Sequence, residues 1–324
     1  MRLQACAPGR PAVTWHHVPV RETTAGPAHE LAMPSRTDLA LIAVAITAVS
    51  TSGPLIAATV APALAVAFWR NALAAGVLLP YSLLRNLAEL RSLTRREWGL
   101  IGGAGLLLAC HFGTWIPSLR YTSVASATAL VATQPIWAAL WARSRGATIG
   151  RGAWIGIGLG VLAVALVAGI DVRLSGRALF GDAIALIGGI FAAGYVTAGA
   201  AVRRTVGTTT YAALCYLNTS ILLVVVCLIG GQRLGGYSGA DWLRIAAITA
   251  GAQLLGHTVF NLVLKSTSAT VVSLSILFEV PGATIIAAIF LHQHVRLEQL
   301  PAAALLLTGL ALVIRSGARA IPSE

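Results

Sequence analysis

Glu279 is the residue whose type and position most clearly suggest chemistry. It lies near the middle of an apolar stretch, one helical turn after Ser275. A charged group inside a membrane costs about 2.5–3.5 kcal/mol on insertion scales, so such groups usually have a function or a partner. We expect Glu279 to bind a proton or a cationic group of a ligand. A structural interpretation stays equally open, in which a protonated Glu279 ties its helix to a neighbour.

A polar stripe lies upstream, in another apolar stretch. Gln253, His257 and Asn261 recur every four residues, which places them on one face of a helix. Three polar groups on one face of an otherwise apolar helix favour contact with a ligand or with water. The alternative is hydrogen bonding between helices, where each bond contributes about 0.6 kcal/mol on average. We expect the stripe, together with Ser275, to line a binding site.

Aromatic and polar residues also occur together in the first half of the chain. His111 and Trp115 lie one helical turn apart, and Gln134 and Trp137 are close neighbours. Aromatic rings that line a cavity can stack on flat ligands or attract cationic ones. We expect these four side chains to contact a ligand, while packing explains Trp137 equally well.

Arg70 and three prolines have a structural or gating interpretation. Arg70 lies about two turns into its apolar stretch, close enough to the end for its long side chain to extend to the membrane surface. We favour that structural role over the alternative, attraction of an anionic group of a ligand. Pro54, Pro135 and Pro281 each fall inside an apolar stretch, where proline removes a backbone donor and bends or breaks a helix. Broken helices inside a membrane often border binding sites.

The elements that must position these residues are membrane-spanning helices. Of the 324 residues, 57% are hydrophobic and 10% are charged, and the mean hydropathy is +0.80. Soluble proteins carry about 25% charged residues, so one globular core cannot hide this much apolar surface. The net charge of +12 does not indicate nucleic-acid binding, because the basic residues lie in small groups between apolar stretches.

We predict an all-α membrane protein with ten transmembrane helices, each close to the about 20 residues needed to cross a bilayer. The predicted spans are residues 39–61, 64–84, 99–119, 122–142, 150–170, 179–201, 210–230, 243–264, 269–291 and 299–315. With the N-terminus inside, the inner loops hold twelve basic residues and the outer loops six, which predicts two cytoplasmic termini. Lys265 is the one lysine among 23 basic residues, which indicates a GC-rich bacterial genome and hence the bacterial inner membrane.

Two halves of the chain resemble each other. His111 is followed 24 residues later by Pro135, and His257 is followed 24 residues later by Pro281. Each half has five predicted spans, an odd number, so the second half must begin at the opposite membrane face. This predicts two five-helix inverted repeats related by an axis in the membrane plane. The predicted divisions are a disordered tail at 1–37, repeats at 38–173 and 174–317, and a C-terminal tail at 318–324.

Three stretches carry a resemblance to a known family. They are Pro62-Ala63-Leu64 leading to Phe68-Trp69-Arg70, Tyr121-Thr122-Ser123 leading to Gln134-Pro135, and Ser266-Thr267-Ser268 leading to Glu279-Val280-Pro281. The chain resembles the drug/metabolite transporter superfamily in its ten-span EamA type. The Gly-Glu that this family often has after spans 4 and 9 is here Ala142-Arg143 and His292-Gln293. The resemblance implies a secondary transporter of amino acids, nucleosides or drug-like compounds that works as an exporter by alternating access.

Two other function classes stay open. One is the membrane subunit of an ATP-driven transporter, which needs a separate ATPase because the chain has no G-x-x-x-x-G-K-[ST] motif. The other is an intramembrane enzyme using His111, His257 and Glu279, although no spacing demands such a reaction and we expect no enzymatic activity. We expect no metal and no cofactor. The expected partners are the lipid bilayer, a small-molecule substrate and protons, but no nucleic acid.

A strip of glycines points to close helix packing. Gly152, Gly156 and Gly160 recur every four residues in predicted span 5. Small residues at this spacing allow another helix to approach closely in a membrane. The sequence leaves open whether that helix belongs to the same chain or to a second copy in a homodimer.

Overall fold

The computed structural model describes residues 35–146, 148–172, 175–256, 259–260, 263, 275–294 and 296–318. Within these ranges the chain is helical and has no β-strand, which confirms the predicted all-α class. Several predicted features lie outside the described residues, namely His257, Asn261, the Ser266-Thr267-Ser268 turn and most of both predicted tails.

The helices follow one another with short connections. The first half contains α1 (Arg36–Ser50), α2 (Ser52–Ala58), α3 (Ala63–Arg85), α4 (Leu87–Ser92), α5 (Arg95–Ser118), α6 (Val124–Val131), α7 (Gln134–Ser144) and α8 (Arg151–Val172). The second half contains α9 (Gly176–Val202), α10 (Thr208–Ile229), α11 (Gly239–Ile248), a π-helix (Thr249–Gly256), α12 (Glu279–Phe290), a 3₁₀ turn (Leu297–Gln299) and α13 (Leu300–Ala318).

Most of the predicted spans appear as helices of membrane length. Seven helical segments are long and apolar enough to cross a bilayer. Two shorter apolar helices are α8, over Arg151–Val167, and α12. The remaining predicted span, 243–264, begins with α11 and the π-helix and continues outside the described residues. The multi-span helical architecture is therefore present, and the count of ten stays a prediction.

The turns between helices fall into two groups at opposite ends of the helices. The group called the Arg120 face comprises residues 59–62, 119–123, 230–238 and 291–294. The group called the Glu89 face comprises residues 86–94, 145–146, 148–150 and 203–207. Hydrogen bonds join turns within a group: the Arg120 guanidinium donates to the Ala61 carbonyl at 2.9 Å, and Glu89 accepts from the Gly207 N–H at 2.6 Å. This grouping is expected when successive spans cross in alternate directions.

Short polar motifs determine where helices begin. At the start of α1, Ser35 and Asp38 each bond the other's backbone N–H, and Thr94 and Glu97 do the same at α5. These capping boxes satisfy amide groups that a helix start leaves without a partner, and each cap contributes about 1 kcal/mol. They anchor the starts of α1 and α5 at the end of the bundle that carries the Glu89 face.

Prolines break three of the predicted spans at a consistent offset. Proline offers no N–H to the carbonyl four residues earlier, and its ring collides with that carbonyl. Accordingly, α1 ends at Ser50, four residues before Pro54, and α6 ends at Val131, four residues before Pro135. Pro281 follows a turn at residues 277–278, after which α12 begins. Each break lies near the middle of its predicted span.

The helices of the two halves pack in pairs that follow a two-fold relation. The three largest contacts join α5 with α9, α8 with α13, and α3 with α10, and a smaller contact joins α1 with the π-helix. When the spans of each half are numbered from one to five, these pairs join span 3 of the first half with span 1 of the second, span 5 with span 5, span 2 with span 2, and span 1 with span 3. Exchanging the two halves leaves this pattern unchanged, as a two-fold repeat requires. Buried side chains such as Ile116 and Leu223 form the core between these helices.

The glycine strip of α8 is covered by the last helix of the same chain. A Cβ on Gly156 would lie 2.4 Å from the carbonyl oxygen of Gly309 in α13. A Cβ on Gly152 would lie 2.6 Å from the hydroxyl of Ser316, on the same helix. Of the two partners that the sequence leaves open, the structure therefore places a helix of this chain against the strip.

Candidate functional site

A cavity of about 400 Å³ lies between the two halves of the chain. This volume falls within the range of about 300–1,000 Å³ that is usual for small-molecule sites. The polar and aromatic side chains that line it come from both halves. They include Ser52, Arg70, His111, Trp115 and Gln134 from the first half, and Tyr195, Tyr211, Tyr216, Gln253 and Glu279 from the second.

Four polar side chains of the cavity lie where a span is interrupted. Ser52 opens α2 after the break at Thr51, Gln134 opens α7, and Glu279 opens α12. Gln253 lies in the π-helix, a geometry that is frequent at functional sites. A helix break inside a membrane leaves backbone groups that need polar surroundings, so polar side chains and a cavity are expected at the same depth.

Arg70 lies in the cavity wall and does not extend to the membrane surface. The residue is only 2% exposed. Its Nε donates to Gln253 Oε1 at 2.6 Å, and its Nη1 donates to the Ser52 hydroxyl at 3.4 Å. The guanidinium carbon lies 4.4 Å from the centre of the Phe112 ring. These contacts replace the outward-extended position favoured from the sequence, because partners within the bundle are closer than the interface.

His111 and Trp115 form one aromatic wall of the cavity. Their rings stack with centroids 5.7 Å apart and planes 7° from parallel. The His111 Nδ1 lies 3.0 Å from the Gly188 carbonyl oxygen, which can only accept, so Nδ1 carries the proton. Gly188 lets its helix pack close to α5, since a Cβ at position 188 would lie only 3.1 Å from the Cβ of Trp115.

Three tyrosines form a second aromatic wall. Tyr195 comes from α9, and Tyr211 and Tyr216 come from α10, where both are buried. None of the three was predicted from the sequence. One signal was available: Tyr195 and Tyr216 lie inside their helices, whereas membrane tyrosines concentrate at the interfaces.

Two residues expected to contact a ligand lie outside the cavity lining. The Trp137 indole N–H donates to the Thr133 hydroxyl at 3.0 Å, which ties this side chain to its own helix. Ser275 is half-buried in the helical residues before the turn at 277–278. The packing interpretation of Trp137 matches this geometry.

Among the described residues, the cavity lining does not reach the Arg120 face, where hydrogen bonds within the first half and between the two halves join the turns. Arg120 donates to the carbonyls of Thr59 and Ala61, while the Val60 N–H donates to Asp241 Oδ1 at 3.0 Å. Further bonds on this face join Val124 to Gln293 at 3.1 Å and Ser126 to Gln299 at 3.3 Å.

At the other end, the cavity lining extends to the Glu89 face. Arg203 and Thr208, on either side of the turn between α9 and α10, are among the lining residues. Arg203 was not singled out from the sequence, where it counts only as one of the basic loop residues. In the described part of the chain, the cavity lining therefore reaches the Glu89 face and not the Arg120 face.

Comparison with known proteins places this geometry in a family context. The EamA-like transporter family model matches residues 38–169 and 179–315, which confirms the resemblance predicted from the sequence. A protein crystal structure that is 18% identical superposes with a TM-score of 0.60, covering 85% of this chain and 96% of that one. This likeness concerns the fold alone. No curated protein matches the chain.

Proposed function

The chain belongs to the EamA-like transporter family, and we propose that it is a secondary transporter that exports small metabolites by alternating access. Its family consists of membrane transporters of small molecules, so the chain is a multi-pass membrane transporter. This fits the expectation that it has no enzymatic activity. The observation that supports the finer proposal is a largely apolar cavity with polar side chains between the two repeats, whose lining among the described residues reaches the Glu89 face and not the Arg120 face.

The packing of the two halves supports alternating access. The helix pairs keep their pattern when the halves are exchanged, so the halves can also exchange conformations. In the described state Val60 bonds Asp241 and Val124 bonds Gln293 across the halves at the Arg120 face, and the cavity extends to Arg203 at the Glu89 face. If the two halves exchanged conformations, the Glu89 face would close and the Arg120 face would open.

The proposed orientation makes the described state inward-facing. The basic bias of the loops favours a cytoplasmic Glu89 face and two cytoplasmic termini, in a bacterial inner membrane. A substrate would then enter from the cytoplasm and leave through the Arg120 face. Export is the direction that the family resemblance favours, with Glu279 as the group that couples transport to protons.

The cavity suits compounds of metabolite size with both polar and flat apolar parts. Stacked aromatic rings such as His111 and Trp115 favour flat or cationic groups. Gln134 and Glu279 offer an amide and a carboxyl group to polar substituents. We therefore keep amino acids, nucleosides and drug-like compounds as the candidate substrates.

Transport by purified protein in liposomes tests this function. We expect counterflow or efflux of at least one class among amino acids, nucleosides and cationic drugs, with a faster rate under a pH gradient. Empty liposomes and liposomes with heat-denatured protein serve as controls. Movement of no compound by protein with a cooperative thermal transition would contradict the proposal, and movement without any response to pH would remove its proton-coupled part.

A further inference from the structure

Arg70 is a buried cation for which no direct ion pair is found among the described residues. It is 2% exposed and lines the cavity, and its two hydrogen bonds go to neutral groups of Gln253 and Ser52. In the described part of the chain the ion pair found is Arg244 with Asp241 on the Arg120 face. Glu279 faces the same cavity without pairing directly with Arg70.

The guanidinium group keeps donors for a further partner. Arginine has five N–H donors in a planar fork that matches a carboxylate or a phosphate. The hydrogen bonds to Gln253 and Ser52 use two of them, and Phe112 covers one face of the plane. Glu279 attracts this buried charge electrostatically but does not take up its remaining donors, so an anion in the cavity that binds those donors would be held favourably.

A chain of hydrogen bonds sets the position of this guanidinium. The Ala67 carbonyl can only accept, so the Asn71 amide nitrogen faces it at 2.8 Å and the Asn71 oxygen faces Gln253. The Gln253 amide nitrogen donates to that oxygen at 3.0 Å, which leaves Gln253 Oε1 to accept from Arg70 Nε. The Ala67 carbonyl thus sets the orientation of the Asn71 amide, and the Asn71 amide sets the orientation of the Gln253 amide.

The three hydrogen-bonded residues Arg70, Gln253 and Asn71 are almost fully buried. Asn71 is 0% exposed and Gln253 is 2% exposed, so water does not compete for their hydrogen bonds. Gln253 lies in the π-helix, which carries its side chain across to α3. Gln253, Asn71 and Ser52 together hold the Arg70 guanidinium group at the cavity wall.

We propose that Arg70 is the anion-binding group of this cavity, that Gln253 and Asn71 position it, and that the transported metabolites carry a carboxylate or a phosphate group. The proposal rests on the transport function above and narrows its substrate class. Gln253 is then a positioning residue and not a direct substrate ligand, and Asn71, which the sequence did not single out, acts through it.

Matched pairs of compounds test the proposal in proteoliposomes. Alanine, leucine and phenylalanine are each compared with their amides, and uridine monophosphate is compared with uridine. We expect the wild-type protein to prefer the acid of at least one pair about tenfold or more, because a charge-assisted bidentate bond is lost when a neutral amide or hydroxyl group replaces the carboxylate or phosphate. The amino-acid and nucleotide pairs distinguish a carboxylate from a phosphate.

Variants separate anion binding from a structural role. Arg70→Gln is expected to lower transport of the acid far more than transport of its amide or nucleoside, so that the preference for the acid is lost, and Arg70→Lys is expected to keep part of the preference. Gln253→Leu, which removes the positioning acceptor, is expected to lower the preference about fivefold. Arg145→Gln, the same change at an exposed arginine, is the control.

The outcomes distinguish this inference from the transport function. Equal transport of acids and neutral analogues, or equal loss of both in Arg70→Gln, would overturn the inference and leave the transporter standing. Transport of cationic compounds alone would also overturn the inference and leave the transport function standing. No transport of any compound by folded wild-type protein would overturn both.

Discussion

At the residue scale, two opposite charges face one cavity. Arg70 is fixed by Gln253, whereas no hydrogen bond to the Glu279 carboxyl is found among the described residues. Glu279 opens α12 at a helix break, where it is half-buried and borders the cavity. A carboxyl group in this position can exchange a proton with water in the cavity, and Arg70, His111 and the cavity tyrosines are the titratable groups around it.

Replacement of Glu279 by glutamine tests proton coupling. Glu279→Gln keeps the size of the side chain and removes its titration, so we expect transport that no longer accelerates under a pH gradient. The measurement is transport in liposomes with and without the gradient. Glu298→Gln at an exposed site is the matched control. An unchanged rate and an unchanged pH response in Glu279→Gln would exclude this carboxyl group as the coupling site.

At the element scale, small residues and prolines have separate tasks. Prolines break three spans and thereby place polar side chains at mid-depth, as at Gln134 and Glu279. The strip of α8 instead lets α13 approach so closely that the Gly156 and Gly309 backbones touch. This pair joins the fifth helices of the two halves, outside the cavity.

Alanine substitutions on α8 test this packing. A Cβ at position 156 meets a backbone carbonyl at 2.4 Å, whereas a Cβ at position 158 meets nothing within 4 Å. We expect Gly156→Ala to destabilise the protein by about 1–3 kcal/mol through overpacking. Gly158→Ala should be neutral or stabilising by up to about 1 kcal/mol, because alanine favours the helix.

Thermal unfolding of both variants in the same detergent is the measurement. The expected order of Tm is Gly156→Ala below wild type, and Gly158→Ala at or above it. Equal Tm values for the two variants would mean that α13 does not pack against this strip.

At the scale of the whole molecule, the two faces are closed to different degrees. On the Arg120 face, Arg120 and Asp241 hold the same short turn, residues 59–61, from the two halves of the chain. At the Glu89 face, Glu89 bonds the Gly207 N–H and the Thr210 hydroxyl, yet the cavity extends past them to Arg203. Opening this face by moving one half against the other requires the bond between Val60 and Asp241 to break, and Arg120 fixes the turn that presents Val60 to Asp241.

Loss of the Arg120 side chain should shift the population toward the state that is open at this face. In a chain whose cysteines are replaced, Val131→Cys places a single thiol in the cavity. We expect Arg120→Ala to raise the rate at which a membrane-impermeant maleimide labels this thiol on intact cells about fivefold. This increase corresponds to a shift of about 1 kcal/mol between the two conformations.

A matched control is available on the same face. Arg233 is exposed, so Arg233→Ala should leave the labelling rate unchanged. A rate in Arg120→Ala equal to that of the parent would show that these bonds do not hold the face closed, or that this face is cytoplasmic. Labelling of inside-out vesicles separates the two explanations.

Local rules in the sequence were sufficient for much of the architecture. Hydropathy over about 20 residues predicts the spans, and the proline rule acts over four residues, so the breaks near Ser50 and Val131 can be predicted from local sequence. The matched spacing of His111 with Pro135 and of His257 with Pro281 predicts two repeats. Gln134 and Glu279, which lie beside such breaks, were predicted to contact a ligand because they are polar residues inside apolar stretches.

Only the tertiary structure decides which side chains meet. Arg70 and Gln253 are 183 residues apart, and their bond depends on how α3 and the π-helix are rotated toward each other. The same holds for Gly156 against Gly309. A span's composition determines that it crosses the membrane, whereas its rotation and partners depend on packing against helices from the other half. For that reason the sequence favoured a surface position for Arg70, and the fold places it in the cavity.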